Sequence, residues 1–245
     1  MKRNNSFTLS TLTALALALA LLAGTAAETK KNKTAKEAEK GRWIKLFDGR
    51  LHDQLRSYRG TEFPKEAWVI EGDTLKTIPK KDGGKPADLM TKAKFKAFEL
   101  VWEWKAAVGG NSGVMYHVKA HPKDPSWFTG PEYQLLDDDV HPDGKKDRRR
   151  AGCLYDLIEA EGKTLKPVGQ FNESRIVFHP DNKVEHWLNG RKVLEYVWGS
   201  PEIDALIKKS KFSNRPDFMK MDTGHITFQH HGEEFWVRNM KIRRL

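Results

Sequence analysis

Phe98-Glu99-Leu100-Val101-Trp102-Glu103-Trp104 alternates with a period of two. Phe98, Leu100, Trp102 and Trp104 fall on one face of an extended strand, and Glu99, Val101 and Glu103 fall on the other. Outward from this strand the same short, turn-bounded pattern recurs. Segments 68–70 and 74–76 flank Glu71-Gly72-Asp73. Segments 184–188 and 192–197 flank Asn189-Gly190, a dipeptide that favours the tight hairpin turn. Segments 226–229 and 234–242 predict a last hairpin around His231-Gly232, and 201–209 predicts one short helix. Many short strands joined by polar connections predict an all-β fold, a two-sheet antiparallel sandwich or jelly roll.

The ends of the chain set its surroundings. Lys2 and Arg3, the apolar run 12–23 and the small residues Gly24-Thr25-Ala26-Ala27 read as a signal peptide over 1–27. The apolar run is short for a transmembrane anchor, and no cysteine stands at the junction for a lipid. Residues 28–41, with Lys30, Lys31, Lys33, Lys36 and Lys40, read as a flexible basic linker, and 42–245 as one domain. The expected location is therefore periplasmic or secreted. Cys153 is the single cysteine, so no internal disulfide can form, and its apolar neighbours predict a buried side chain rather than a nucleophile. The formal net charge of +10 falls to +8 without Lys2 and Arg3. Its second basic run, 145–150, lies in loop-like sequence without interleaved aromatics, which argues against nucleic acid as a partner.

Polar residues inside apolar strands mark the candidate site, because a buried polar group is costly unless it has a partner. In Gly130-Pro131-Glu132-Tyr133-Gln134-Leu135-Leu136-Asp137, Glu132 and Gln134 alternate with Tyr133 and Leu135. Asn111 and Ser112 interrupt Gly109-Gly110-Asn111-Ser112-Gly113-Val114-Met115-Tyr116-His117. His225, Thr227, Gln229 and His231 share one face of a third segment, with Ile226 and Phe228 opposite. Three such segments predict a groove fit for a saccharide: amides and carboxylates for hydroxyls, with Trp127, Trp187 or Trp198 as a stacking platform. Among the histidines His231 ranks first as an acid–base group, since it shares a face with Gln229 and precedes the turn at Gly232. Asp137, Asp138, Asp139 and His141 match no specific metal loop and read as a solvated acidic turn rather than a calcium site. HExxH, GxSxG and a phosphate-binding glycine loop are all absent.

Seven blocks in order resemble the 3-keto-disaccharide hydrolase domain family. They are Trp43-Ile44-Lys45-Leu46-Phe47-Asp48-Gly49, the Asn111 and Glu132 stretches above, and Ala151-Gly152-Cys153-Leu154-Tyr155-Asp156. The others are the segment 166–173, His186-Trp187-Leu188-Asn189-Gly190, and 224–232 with 237–243. Phe171, Phe228 and His230 depart from the usual pattern. The resemblance implies a concanavalin A-like jelly roll that acts on an oligosaccharide or glycoside whose C3 hydroxyl a separate oxidoreductase has already converted to a ketone. It implies removal of the C2 proton, elimination of the C1 substituent and hydration. On this reading Glu132 is the base and His231 the acid or enolate stabiliser. Asn111, Ser112, Gln134, Tyr155, Trp187, Gln229 and Arg238 contact the sugar. No cofactor is specified, and a divalent metal is left open as a substitute for the stabiliser. A second expectation is a non-catalytic glycan-binding module on the same fold, and a third is a structural or adhesive envelope protein.

Overall fold

Why the chain forms two layers follows from how its rings are spaced. In the computed structural model, which describes residues 40–50 and 52–245, the alternating apolar positions of successive strands meet across a single core. The expected signal peptide 1–27, and the linker as far as position 39, lie outside the described residues. Trp43–Leu245 forms one compact unit. One sheet has eight strands: β1 (Ile44–Phe47), β3 (Trp68–Glu71), β4 (Thr74–Thr77), β6 (Phe98–Ala106), β9 (Asn172–Phe178), β10 (Lys183–Leu188), β11 (Arg191–Val197) and β13 (Phe235–Arg244). Its order is β11-β10-β9-β6-β13-β4-β3, with β1 also paired to β13. The other has five: β2 (Leu55–Ser57), β5 (Leu89–Thr91), β7 (Asn111–Val118), β8 (Glu132–Leu136) and β12 (His225–Phe228), in the order β2-β5-β12-β7-β8. Every pairing between these strands is antiparallel, and the architecture is the two-sheet jelly-roll sandwich expected.

Phe98, Leu100, Trp102 and Trp104 of β6 all point into the core, as the alternation requires. Trp102 meets Tyr133 edge-on at 5.1 Å between ring centroids, and Trp104 stacks on Phe235 at 5.6 Å. The polar tips of Trp104 and Tyr133 are satisfied inside, whereas Trp102 Nε1 is buried without a partner. Trp104 Nε1–H donates to Ser174 Oγ at 2.8 Å, and the Tyr133 hydroxyl lies 2.9 Å from the same oxygen and donates to Trp187 O at 3.0 Å. Cys153 is fully buried, with its thiol facing Asp147 O.

Both short-turn hairpins form: β3 with β4 around Gly72-Asp73, and β10 with β11 around Asn189-Gly190. Asn189 (φ 49°) and Gly190 (φ 80°) both sit in the left-handed region that this two-residue turn demands. The expected helix is α1 (Pro201–Lys208), capped by Ser200, whose side chain accepts from Ile203 N–H. The last predicted hairpin does not form. β12 pairs with β5 and β7, whereas β13 pairs with β1, β4 and β6, so His230–Glu234 carries the chain from one sheet to the other. Alternation reports which face a side chain takes but not which sheet its strand joins. No helix among the described residues is long and apolar enough to cross a membrane.

Gly190→Ala places a Cβ in the left-handed region and is expected to cost roughly 1–2 kcal/mol. Thermal denaturation should show a melting temperature lower by about 2–8 °C for a domain of this size.

Candidate functional site

The outward face of the five-stranded sheet is built by register. β7 lies against β8 with Met115 opposite Glu132, Gly113 opposite Gln134 and Asn111 opposite Leu136. On its other edge Thr227 of β12 stands opposite Met115 and, across to β5, opposite Met90. Glu132, Gln134, Asn111 and Thr227 therefore share one surface, turned away from Tyr133, Leu135, Ile226 and Phe228. Gly113 is required there, since a Cβ on it would meet Glu132 Oε1 at 2.0 Å. The Glu132 carboxyl lies directly over the β7 backbone.

This surface is short of partners. Glu132 is 8 % exposed and makes no side-chain hydrogen bond or ion pair with another described residue. Gln134 Oε1 and Thr227 Oγ1 are buried without a partner, and so is Asn111 Oδ1. Asn111 Nδ2 lies 3.3 Å from His141 Nε2. His141 Nδ1 accepts from Asp143 N–H, so a neutral His141 carries its proton on Nε2 and is best met by the amide oxygen of Asn111. In either orientation one polar end of Asn111 is left for a ligand. Buried polar atoms gathered on one face without partners mark a place where a polar ligand completes the structure.

Loops form the walls. Residues 152–155 run beside β8, with Tyr155 N–H donating to Glu132 O and Gln134 N–H to Cys153 O. That places the Tyr155 ring at the site, where its hydroxyl donates to Asp143 Oδ2 at 2.8 Å. Arg149 holds Asp143 at 3.2 Å and Asp156 at 2.7 Å. Lys211, in the segment after α1, projects its Nζ over the Tyr155 ring at 4.2 Å and over Trp127 and Phe212 at 5.1 Å each. Trp127 packs against the cluster of Tyr58, Met90, Met115 and Val118, of which Met115 stands opposite Glu132.

Burial pushes the Glu132 carboxyl up to about 8; Lys211 opposes that rise, and the negative charges of Asp88 and Asp143 add to it. Burial likewise lowers Lys211 and raises Asp88, which accepts from His230 N–H and Ser126 Oγ–H. Burial alone would raise Asp143, but the Tyr155 hydroxyl and Arg149 together hold it below the usual carboxylate range.

Not every expected residue lies on this face. Ser112 alternates with Asn111 and points inward, where Oγ–H donates to Gln229 O at 2.8 Å. Gln229 follows β12 on the outward side, and its N–H donates to Gly113 O. His231 stands at the rim, 44 % exposed in its side chain, bound to Glu233 at 2.8 Å and edge-on to His141 at 6.1 Å. Trp187 and Arg238 are elsewhere: both lie on the outward face of the eight-stranded sheet. Trp187 donates to Glu185 beneath Arg175, and Arg238 pairs with Glu103 and Asp73 over the Phe171 ring. The register that sets Arg238 opposite Glu103, and Trp187 opposite Arg175, keeps them on the far side of the sandwich from Glu132. Trp198 is core, against Phe178 and His117. Asp88, Asp143 and Lys211 were absent from the sequence reading, and Arg149 figured there only in the basic run 145–150, because loop residues carry no periodic signal.

A cleft of about 600 Å³ is lined by residues that include Asp137, Asp138, Lys163 and Asn172, and it does not include Glu132. Its buried polar groups are paired: Asp138 with Lys163, Asp137 with two backbone N–H groups, and Asn172 with Lys166 N–H and Asn189. Polar groups without partners, rather than volume, place the site at Glu132. A preformed cation site does not fit these residues, since no three His, Cys, Asp or Glu side chains among the described residues gather as ligands.

Glu132 is expected to titrate near 8, read from the carboxyl infrared band of 13C-labelled protein. Lys211→Met should move that midpoint up and Asp143→Asn should move it down. The folded value lies above the ordinary 4.5, so the stability Glu132 contributes is complete below 4.5 and lost as pH rises through about 8. Glu132→Gln should therefore raise the melting temperature relative to wild type more at pH 9 than at pH 4.

Comparison with known proteins adds the following. A family model described as the 3-keto-alpha-glucoside-1,2-lyase-like domain matches residues 42–243. A curated 3-keto-disaccharide hydrolase of Bacteroides thetaiotaomicron is 34 % identical over 229 residues, covering 83 % of this chain and 78 % of the relative. A crystal structure of a candidate glycosyl hydrolase from Parabacteroides distasonis superimposes with a TM-score of 0.75 at 31 % identity, over 86 % of this chain and 96 % of that one. A second from the same organism gives 0.67 at 27 % identity, over 84 % and 100 %.

Proposed function

The chain belongs to the family of 3-keto-alpha-glucoside-1,2-lyase-like domains, and from that premise we propose that this glycoside hydrolase-type enzyme cleaves 3-keto-glycosides by elimination and hydration, with Glu132 as the base. The observation that carries the reading is the buried Glu132 carboxyl, unpaired and surrounded by the partnerless polar atoms of Gln134, Asn111 and Thr227.

A ketone at C3 acidifies the hydrogen on C2. Glu132 takes that proton, and the C–H electron pair becomes the C2–C3 double bond of an enolate as the carbonyl pair moves onto oxygen. The enolate then re-forms the ketone and drives out the C1–O bond, whose pair leaves with the aglycone oxygen and gains a proton. Water adds back at C1 while C2 is protonated, so the net change is hydrolysis. A carboxylate whose proton affinity is raised toward neutrality is a better base for a carbon acid than an ordinary one. Asn111, Gln134 and Thr227 supply the hydrogen bonds that hold the ring hydroxyls, and Trp127 supplies an apolar face. The rim position of His231 suits transfer of a proton to the departing aglycone.

We also propose export after loss of 1–27, on the basic start, apolar run and small residues of that segment, with the 3-keto substrate supplied by a separate oxidoreductase. Aminoterminal sequencing of the cell-envelope fraction tests the first point.

Purified protein incubated with 3-keto-glucosides, beside the unoxidised parents, should release aglycone from the keto substrates alone. Cleavage of the parents would instead mark ordinary glycosidase chemistry, and binding without turnover would mark a lectin. Glu132→Gln should lower kcat by about 10²–10⁴-fold. The kcat/KM profile should rise with pH toward a midpoint near 8 as Glu132 ionises. Gly113→Ala, which drives the carboxyl off its seat, should lose activity comparably while remaining folded.

A further inference from the structure

An enolate needs a positive group at its oxygen, and the expected candidate, His231, is exposed and engaged with Glu233. Arg149 is also engaged, its guanidinium shared between Asp143 and Asp156. Arg215 lies over the Phe128 ring at 3.5 Å. Lys211 differs from His231 and Arg149 in having no carboxylate partner, and from Arg215 in resting on Tyr155, whose N–H donates to Glu132 O. Its ammonium rests on the faces of Tyr155, Trp127 and Phe212, and no carboxylate lies within 4 Å of it. Ring faces attract a cation without consuming its N–H donors, so those donors stay free for an oxygen anion. Tyr155, beneath the ammonium, donates its N–H to Glu132 O, and the Glu132 side chain is equally without an ion-pair partner.

Resting on the reading of the site given above, we propose that Lys211 is a catalytic residue that receives the negative charge of the enolate oxygen as Glu132 removes the C2 proton. The buried Glu132 carboxyl, which the exposed Lys211 ammonium does not close on, carries an uncompensated desolvation cost, and a substrate between the two supplies what it lacks. Glu132 meets the C2 hydrogen, and Lys211 meets the C3 oxygen one bond further along the sugar. The electron pair that leaves the C2–H bond ends on that oxygen, so charge develops where the ammonium already stands and returns to the ring when the C1–O bond breaks. Tyr155 is a positioning residue in this scheme. Its hydroxyl is pinned to Asp143, and Asp143 to Arg149, which fixes the ring face on which Lys211 rests.

The test separates proton removal from bond cleavage. A 3-keto sugar lacking a C1 leaving group can exchange its C2 hydrogen in D2O but cannot be cleaved, and the exchange is read by NMR beside aglycone release from a 3-keto-glucoside. Wild type should do both, and Glu132→Gln should do neither. Lys211→Met should lower C2 exchange and kcat together by about 10²–10³-fold, with KM changed much less, while Lys211→Arg keeps a larger share of both. Lys211→Gln serves where the Met variant does not fold. Near-wild-type exchange in a folded, uncharged Lys211 variant, or a loss confined to KM, overturns the assignment and leaves the function standing. A wild-type protein that neither exchanges nor cleaves overturns the function itself, and the assignment with it.

Discussion

The carboxyl of Glu132 rests on the backbone of Gly113, almost out of water and without a bonding partner. Such a group is costly, and it persists only because the surroundings are fixed by other interactions. β8 is held on one side by β7 and on the other by residues 152–155, so Glu132 cannot swing its backbone away. The wall above it is held by a tight ionic group, Arg149 with Asp143 and Asp156, itself tied to Tyr155. The raised proton affinity follows from this enclosure, and so does the requirement for glycine at position 113.

The outward faces of the two sheets are opposites in how their polar groups are spent. On the eight-stranded sheet the enclosed carboxylates have partners: Glu99 takes Arg175 and Arg243, Glu103 takes Arg238 and Asn239, and Glu185 takes Lys183 and the Trp187 indole. Cations also lie over Trp43, Trp187 and Trp236. Glu99 and Glu185 are buried, and their cations satisfy carboxylates that would otherwise be left unpaired. On the five-stranded sheet the amides of Asn111 and Gln134 and the Thr227 hydroxyl are each left with an unmet atom. One outward face thus has its enclosed carboxylates closed by cations, and the other holds an enclosed carboxyl with none.

The fold was largely legible because period-two alternation in β6 and the Asn189-Gly190 turn are local signals. The same rule that separated Glu132 from Tyr133 correctly paired Glu132 with Gln134. Applied to β7 it also separates Asn111 from Ser112, which is why Ser112 serves the backbone of Gln229 instead of the outward face. Trp187 and Arg238 were misplaced for a different reason: alternation fixes a side of a strand, and their strands belong to the other sheet. The crossing at 230–234 was hidden for the same reason, since a short glycine-containing connection reads alike whether it closes a hairpin or bridges two layers. Lys211 and Asp143 come to Glu132 only through long-range closure of loops, which no window of sequence records.

β13 sits in the interior of the larger sheet, flanked by β6 along its length and by β4 and then β1 on its other edge. It is also the final strand in chain order. The first strand therefore finds its neighbour only after nearly all of the domain has left the ribosome, and the two tryptophans of β6 that face the core have no closed layer before then. Such a topology cannot mature piecemeal from its amino end; it condenses late and as a whole, with slow, non-local pairing and a long interval in which apolar strands depend on protection from one another.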